Sequence, residues 1–100
     1  MRRLVFRPRA TADIDEIWTY TARHWGVDQA ERYILAVRDA CRVLARGEKL
    51  GRSIEDIRSG YRKQAIGRHF IFFRLPDNDT LEVVRVLHQR MNVAAHLEDE

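Results

Sequence analysis

The hydrophobic pattern changes period part-way along the chain, and that change decides the class of fold. Ile14, Ile17, Trp18, Thr21, Ala22 and Trp25 recur at spacings of three and four, which puts them on one face of a helix. A second stripe follows in Ala30, Tyr33, Ile34, Val37, Cys41 and Leu44, with Arg32, Arg38, Asp39, Arg42 and Arg46 around the rest of the surface. Gly26 is placed for a left-handed cap at the end of the first helix, Asp28 for the N-cap of the second, and Gly47 for its end. Asp13, Asp15 and Glu16 lie early in the first helix, where carboxylates complement the macrodipole. Trp18 and Trp25, two turns apart on the inner stripe, read as core residues. Two such helices joined by a short turn form an antiparallel hairpin, and each stripe needs an apolar surface to cover it.

The second half supplies that surface with a period of two. In Arg68–Leu75, His69, Ile71, Phe73 and Leu75 share one face, and Phe70, Phe72 and Arg74 the other. Pro76 to Thr80 is a turn cluster, and in Leu81–His88 the residues Val84 and Val86 oppose Val83, Arg85 and Leu87. Both faces are largely apolar, so the sheet is expected to be covered on more than one side. Arg3–Arg7 reads as a short strand, Tyr61–Ile66 as a polar one, and residues 48–60 as a loop. The order β-α-α-β-β-β gives an α+β fold, a helical hairpin packed on a small, mostly antiparallel sheet.

At 100 residues and 45 % apolar, the chain makes one core. The expectation is a single domain over residues 1–97 followed by an acidic tail, Glu98-Asp99-Glu100. The lone Cys41 excludes an internal disulfide and a multi-cysteine zinc site. Histidines 24, 69, 88 and 96 lack zinc-ligand spacing, and no phosphate- or dinucleotide-binding glycine loop is present. No metal and no cofactor is therefore expected. The start of the chain has no signal-peptide core, which points to the cytoplasm and away from membranes. The net charge is +3, with arginine supplying 16 of 18 basic residues; the tail takes −3, so residues 1–97 carry +6. An arginine-rich surface suits an acidic protein or a nucleic acid.

Four blocks in series are specific. They are Asp15-Glu16-Ile17-Trp18-Thr19-Tyr20 with His24-Trp25-Gly26 and Gln29–Tyr33; Leu50-Gly51-Arg52 with Ile57–Arg62; Gly67–Arg74; and Glu82–Asn92 with His96-Leu97. Together they resemble the ParE toxins of the ParE/RelE superfamily, the toxic halves of type II toxin–antitoxin pairs, over nearly the whole chain. The resemblance implies the fold argued above, a ParD-like ribbon-helix-helix antitoxin as partner, and DNA gyrase as target. Nucleic acid would then be met only indirectly, through the gyrase complex. Aromatic and arginine residues dominate interface hot spots, so Trp18, Tyr20, Arg23, Tyr33, Arg58, Tyr61 and Arg74 are the candidate antitoxin contacts. Arg90, Met91, Asn92, His96 and Leu97 are the candidates for the target-directed surface.

The same superfamily holds RelE-like ribosome-dependent mRNA endoribonucleases. That chemistry needs a general base, a general acid and cations on the scissile phosphate. Arg62, His69 and His88 are the parts this chain could use. Against them, His69 shares a strand face with Ile71 and Phe73, as a hydrogen-bonded structural histidine would. His88 fits a support at the end of the last strand. Arg85, flanked by valines, reads as the partner of a carboxylate. The chain also has only two lysines, Lys49 and Lys63. A toxin without its own catalytic site is the favoured expectation.

Overall fold

A computed structural model describes residues 1–97; the acidic tail 98–100 lies outside the described residues. The elements are β1 (Arg3–Phe6), α1 (Pro8–Trp25), α2 (Val27–Ala45), β2 (Arg52–Ser53), β3 (Tyr61–Ile66), β4 (His69–Asp77), β5 (Thr80–His88) and α3 (Val93–Leu97). They build a five-stranded sheet of order β1-β5-β4-β3-β2, antiparallel except where β1 runs parallel to β5. The α1–α2 hairpin covers one face, and the α+β class expected from the periodicity stands. Two short elements are additional to that order: β2 falls in the stretch read as a loop, and α3 follows the last expected strand, where the periodicity assigns no element.

The helices start and stop for local reasons that correct the sequence reading in three places. First, α1 begins at Pro8, whose fixed φ and missing N–H suit the first helical position. Asp13 is therefore a full turn past the helix start, not a dipole-complementing charge at its end. Second, Gly26 alone turns the chain between the helices at φ +92° and ψ 161°, so its ψ is extended and not left-handed helical. Gly26 also serves as the N-cap of α2, which moves Asp28 inside the first turn. Third, Trp25 is 67 % exposed at the end of α1, not packed in the core. Trp18 is half-buried, and its indole N–H donates to Glu31 across the hairpin at 3.3 Å.

Each face of the sheet has its own apolar cluster. Beneath the helices, Ile71, Phe73, Leu81, Val83 and Val86 meet Ala10, Ile17, Val37, Cys41 and Leu44. On the opposite face, Phe72, Val84 and Leu87 lie under Ile54, Tyr61 and Leu97. A bulge sets this division: the β4–β5 register steps from Phe72↔Arg85 to Phe73↔Val83 and skips Val84. Val83 and Val86 consequently face the helices while Val84 and Leu87 face away, in place of the simple alternation that paired Val84 with Val86.

The strongest tertiary tie joins α1 to β5. Arg85 donates to both carboxylate oxygens of Asp13, at 2.8 and 2.9 Å, in a buried bidentate pair. The same carboxylate accepts the Val86 N–H at 2.9 Å. The parallel partner β1 pairs no further than Val83, so Asp13 satisfies a strand donor past the point where β1 stops.

Candidate functional site

The Asp13–Arg85 pair forms the floor of a groove of about 950 Å³ between α1, the ends of β4 and β5, and the segment that follows β5. Its walls include Glu16, Ile17, Tyr20 and Trp25 from α1, Gln29 and Tyr33 from α2, His69 and His88 from the sheet, and Met91 and His96 beyond it. The rim is apolar and open: Tyr20, Trp25 and Met91 are all exposed. The Tyr20 ring stacks on His24 with centroids 3.9 Å apart, one helical turn on, which holds it outward.

Tyr33 organises the inner wall. Its hydroxyl lies 2.6 Å from His69 Nδ1 and 3.1 Å from the Ile66 carbonyl, and it accepts the Arg68 N–H at 3.2 Å. Those three contacts fasten α2 to the β3–β4 turn. Gly67 in that turn has φ +53°, and a Cβ there would stand 2.6 Å from the Tyr33 ring, so only glycine lets the turn approach so closely. Gln89 ties the turn to the end of β5, its side-chain amide donating to the Gly67 and His69 carbonyls. Burial of the ring and then the neighbouring His88 push the His69 pKa below the ordinary histidine value, while burial raises that of Tyr33.

His69 and His88 are register partners on β4 and β5, with rings edge to face at 5.3 Å. His88 Nδ1 accepts the Arg90 N–H at 3.1 Å, so that nitrogen carries no proton and the neutral ring is protonated on Nε2. This is the strand-end support expected of His88. Arg62, the third candidate for phosphodiester cleavage, is not with them. It pairs with Phe73 on β3, four residues from the Ile66 that pairs with His69, roughly 13 Å along the strand. Its guanidinium donates to the carbonyls of Leu50 and Gly51. The three residues are therefore split between two places.

The candidate antitoxin contacts also divide. Trp18, Tyr20 and Arg23 lie along α1, and Tyr20 and Tyr33 line the groove. Arg58, Tyr61 and Arg74 gather at the other end of the sheet, held by neighbours within the chain. Tyr61 is buried under Arg58, whose guanidinium lies 5.1 Å from the ring centroid, and Arg74 pairs with Glu82, which also takes Arg7. Among the target-directed candidates, Arg90, Met91 and Asn92 are exposed, His96 is half-buried beside the groove, and Leu97 is a core residue. Asn92 caps α3, its carbonyl taking the His96 N–H and ring Nδ1–H. Sequence reasoning missed Gln29 and Arg68 as groove residues: both lie in the family-like blocks, but at exposed positions that no apolar periodicity marks. Among the described residues no group of three or more His, Cys, Asp or Glu is placed to hold a metal, and no helix is long and apolar enough to cross a membrane.

The family model for the ParE toxin of the type II toxin–antitoxin system parDE matches residues 4–93. The chain belongs to the ParE toxin family. Relatives named Toxin ParE1 bear this out: the one from Mycobacterium tuberculosis is 44 % identical over 95 residues, covering 95 % of this chain and 97 % of its own. The one from Caulobacter vibrioides is 43 % identical over 89 residues, covering 89 % and 91 %. Among solved structures, a chain of a chromosomal ParDE system from P. aeruginosa superposes with a TM-score of 0.75 at 20 % identity, over 88 % of this chain and 96 % of that one. A chain of a YoeB–YefM complex from Staphylococcus aureus superposes at 0.58 and 12 % identity, over 89 % and 98 %. Both show the RelE/ParE-like fold. In this ParE toxin the exposed Tyr20, Trp25 and Met91 give the groove an apolar rim, and Arg68 adds a positive charge to its lining.

Proposed function

We propose that this ParE toxin acts in the cytoplasm as a binding toxin: a ParD-like ribbon-helix-helix antitoxin neutralises it, and free toxin inhibits DNA gyrase without a catalytic site of its own. Support comes first from one observation, the separation of Arg62 from the His69–His88 pair in a chain of the ParE family. The cleavage centre named from the sequence, with Arg62 as its cation, is therefore not assembled. The antitoxin surface proposed is the helical hairpin, with Tyr20, Trp25 and Tyr33 lining the groove and Trp18 and Arg23 outside it on α1; its occupant is an amphipathic acidic helix. Alanine at Tyr20 or Trp25 should then weaken antitoxin binding by roughly tenfold or more, as truncation of exposed aromatic anchors does.

The deciding experiment is a supercoiling assay with purified toxin. Inhibition of gyrase that the antitoxin reverses is the expected result. Normal supercoiling together with cleaved ribosome-bound mRNA overturns the proposal. A second reading, a RelE-like ribosome-dependent endoribonuclease, draws on the edge-to-face contact of His69 and His88. It requires that alanine at His69, His88 and Arg62 each abolish growth arrest and leave antitoxin affinity unchanged.

A further inference from the structure

The segment proposed to meet the target, residues 90–97, ends in a helix of only five residues, too short to hold its shape alone. Two arginines from elsewhere in the chain hold its last carbonyls. Arg58 Nη1 donates to the Leu97 carbonyl at 2.6 Å, and Arg85 Nη1 to the His96 carbonyl at 3.4 Å. Cationic donors at a helix C-terminus satisfy carbonyls that have no intrahelical partner and complement the dipole there.

Arg58 is itself held in place. The turn that carries it is closed by the Ile57 and Arg58 N–H groups, both donating to the Ile54 carbonyl, and by the Tyr61 N–H donating to the Arg58 carbonyl. The Glu55 carboxylate accepts the Ser59 hydroxyl and the Gly60 N–H, each at 2.7 Å. The guanidinium then lies over the ring of buried Tyr61. A prearranged donor loses little freedom when it takes a carbonyl. Below it, Leu97 and Val93 join the second apolar cluster, so helix and turn close that face together.

We propose that Arg58 is a positioning residue of the toxin: by holding the end of α3 it presents residues 90–96 to the target in one conformation, and it is not an antitoxin contact. The target-directed role of that segment rests on the function proposed above. The clamp's bond to the Leu97 carbonyl needs only one N–H donor, so a lysine can restore part of it where an alanine cannot.

The test compares full-length wild type, Arg58→Ala and Arg58→Lys by growth arrest on induction, amide hydrogen exchange and affinity for the antitoxin. In Arg58→Ala the amides of residues 93–97 should exchange at least tenfold faster while those of α2 keep their rates. Growth arrest should be lost, and Arg58→Lys should regain part of both. Antitoxin affinity should fall by less than tenfold, because only Met91 and His96 of the groove belong to the loosened segment. Unchanged exchange at 93–97 overturns the proposal. So does growth arrest that survives faster exchange, exchange that rises equally in α2, or an antitoxin affinity that falls tenfold. Gyrase is assayed separately with wild type. A toxin that arrests growth and leaves gyrase untouched removes the proposed target, and the growth-arrest comparison of the Arg58 variants still decides the clamp. A wild type that arrests nothing overturns both.

Discussion

The two faces of the sheet are both dry, but they are closed by different means. The helix side is covered by 18- and 19-residue helices, each docked by a long apolar stripe. The opposite side is covered by one turn and a five-residue helix. Buried apolar area supplies most of the hold on the first, because it accumulates along a long helix, and the Asp13–Arg85 pair adds to it. The second cover is too small for that and depends on Arg58 and Arg85 reaching fixed carbonyls. One face is therefore expected to open only with the whole molecule, and the other on its own.

Breaking the tie between α1 and β5 should have the largest effect. Asp13→Ala leaves Arg85 buried without its carboxylate and the Val86 N–H without its acceptor, and should cost about 3–5 kcal/mol in urea denaturation. Asp13→Asn should cost less, since an amide oxygen still accepts the Val86 N–H. Leucine truncation then compares the two faces directly. Leu44 and Leu97 are equally buried, at 2 % and 1 % exposure. Leu44→Ala, in the last turn of a long docked helix, should cost about 3–4 kcal/mol, and Leu97→Ala only about 2, because α3 can collapse or detach. Equal losses would mean that the two covers are equally rigid.

Acid should separate the faces next. The Gly60 N–H, then the Ser59 hydroxyl, hold the Glu55 pKa below its ordinary 4.5. The turn's contribution is thus complete above 4.5 and is lost as pH falls through the folded value. Amide exchange at Gly60 should quicken there, and Glu55→Gln should abolish that dependence. On the groove side, His69 is held neutral below its ordinary 6.5. The unfolded chain binds its proton first, so stability is complete above 6.5 and declines as pH falls below it. His69→Gln should flatten that slope. The smallest effect is at Cys41, whose thiol burial pushes up to about 12. Native protein should resist alkylation for as long as α2 stays docked, which makes Cys41 a reporter of opening on the helix side.

What the sequence made legible follows the same division. The long helices and the β4–β5 hairpin were readable because their periods repeat over many residues, and Arg85 was readable as a carboxylate partner from its valine neighbours. Its partner was not, because Asp13 lies 72 positions away and looks like any early-helix carboxylate. The bulge at Val84 was hidden because valine suits either face, so no residue marked the slip. Trp25 misled because its spacing fits the inner stripe, yet Gly26 turns the chain before the sheet reaches it. β2 and α3 are too short to show a period. Their positions come from tertiary contacts: pairing with Lys63 and Arg62 for β2, and the two arginine donors for α3. Tyr33 was chosen as an interface aromatic. The fastening of its hydroxyl to the β3–β4 turn joins residues 33 positions apart, which no local pattern announces.

The placing of β1 against β5 has a consequence for synthesis. The first strand made waits for the last one, since Arg3 to Phe6 pair with Thr80 to Val83 and with no other strand. A nascent chain still short of that point holds an unpaired edge, and such distant contacts close slowly. The toxin's finished shape is thus withheld until β5 has been made, however early its helices form.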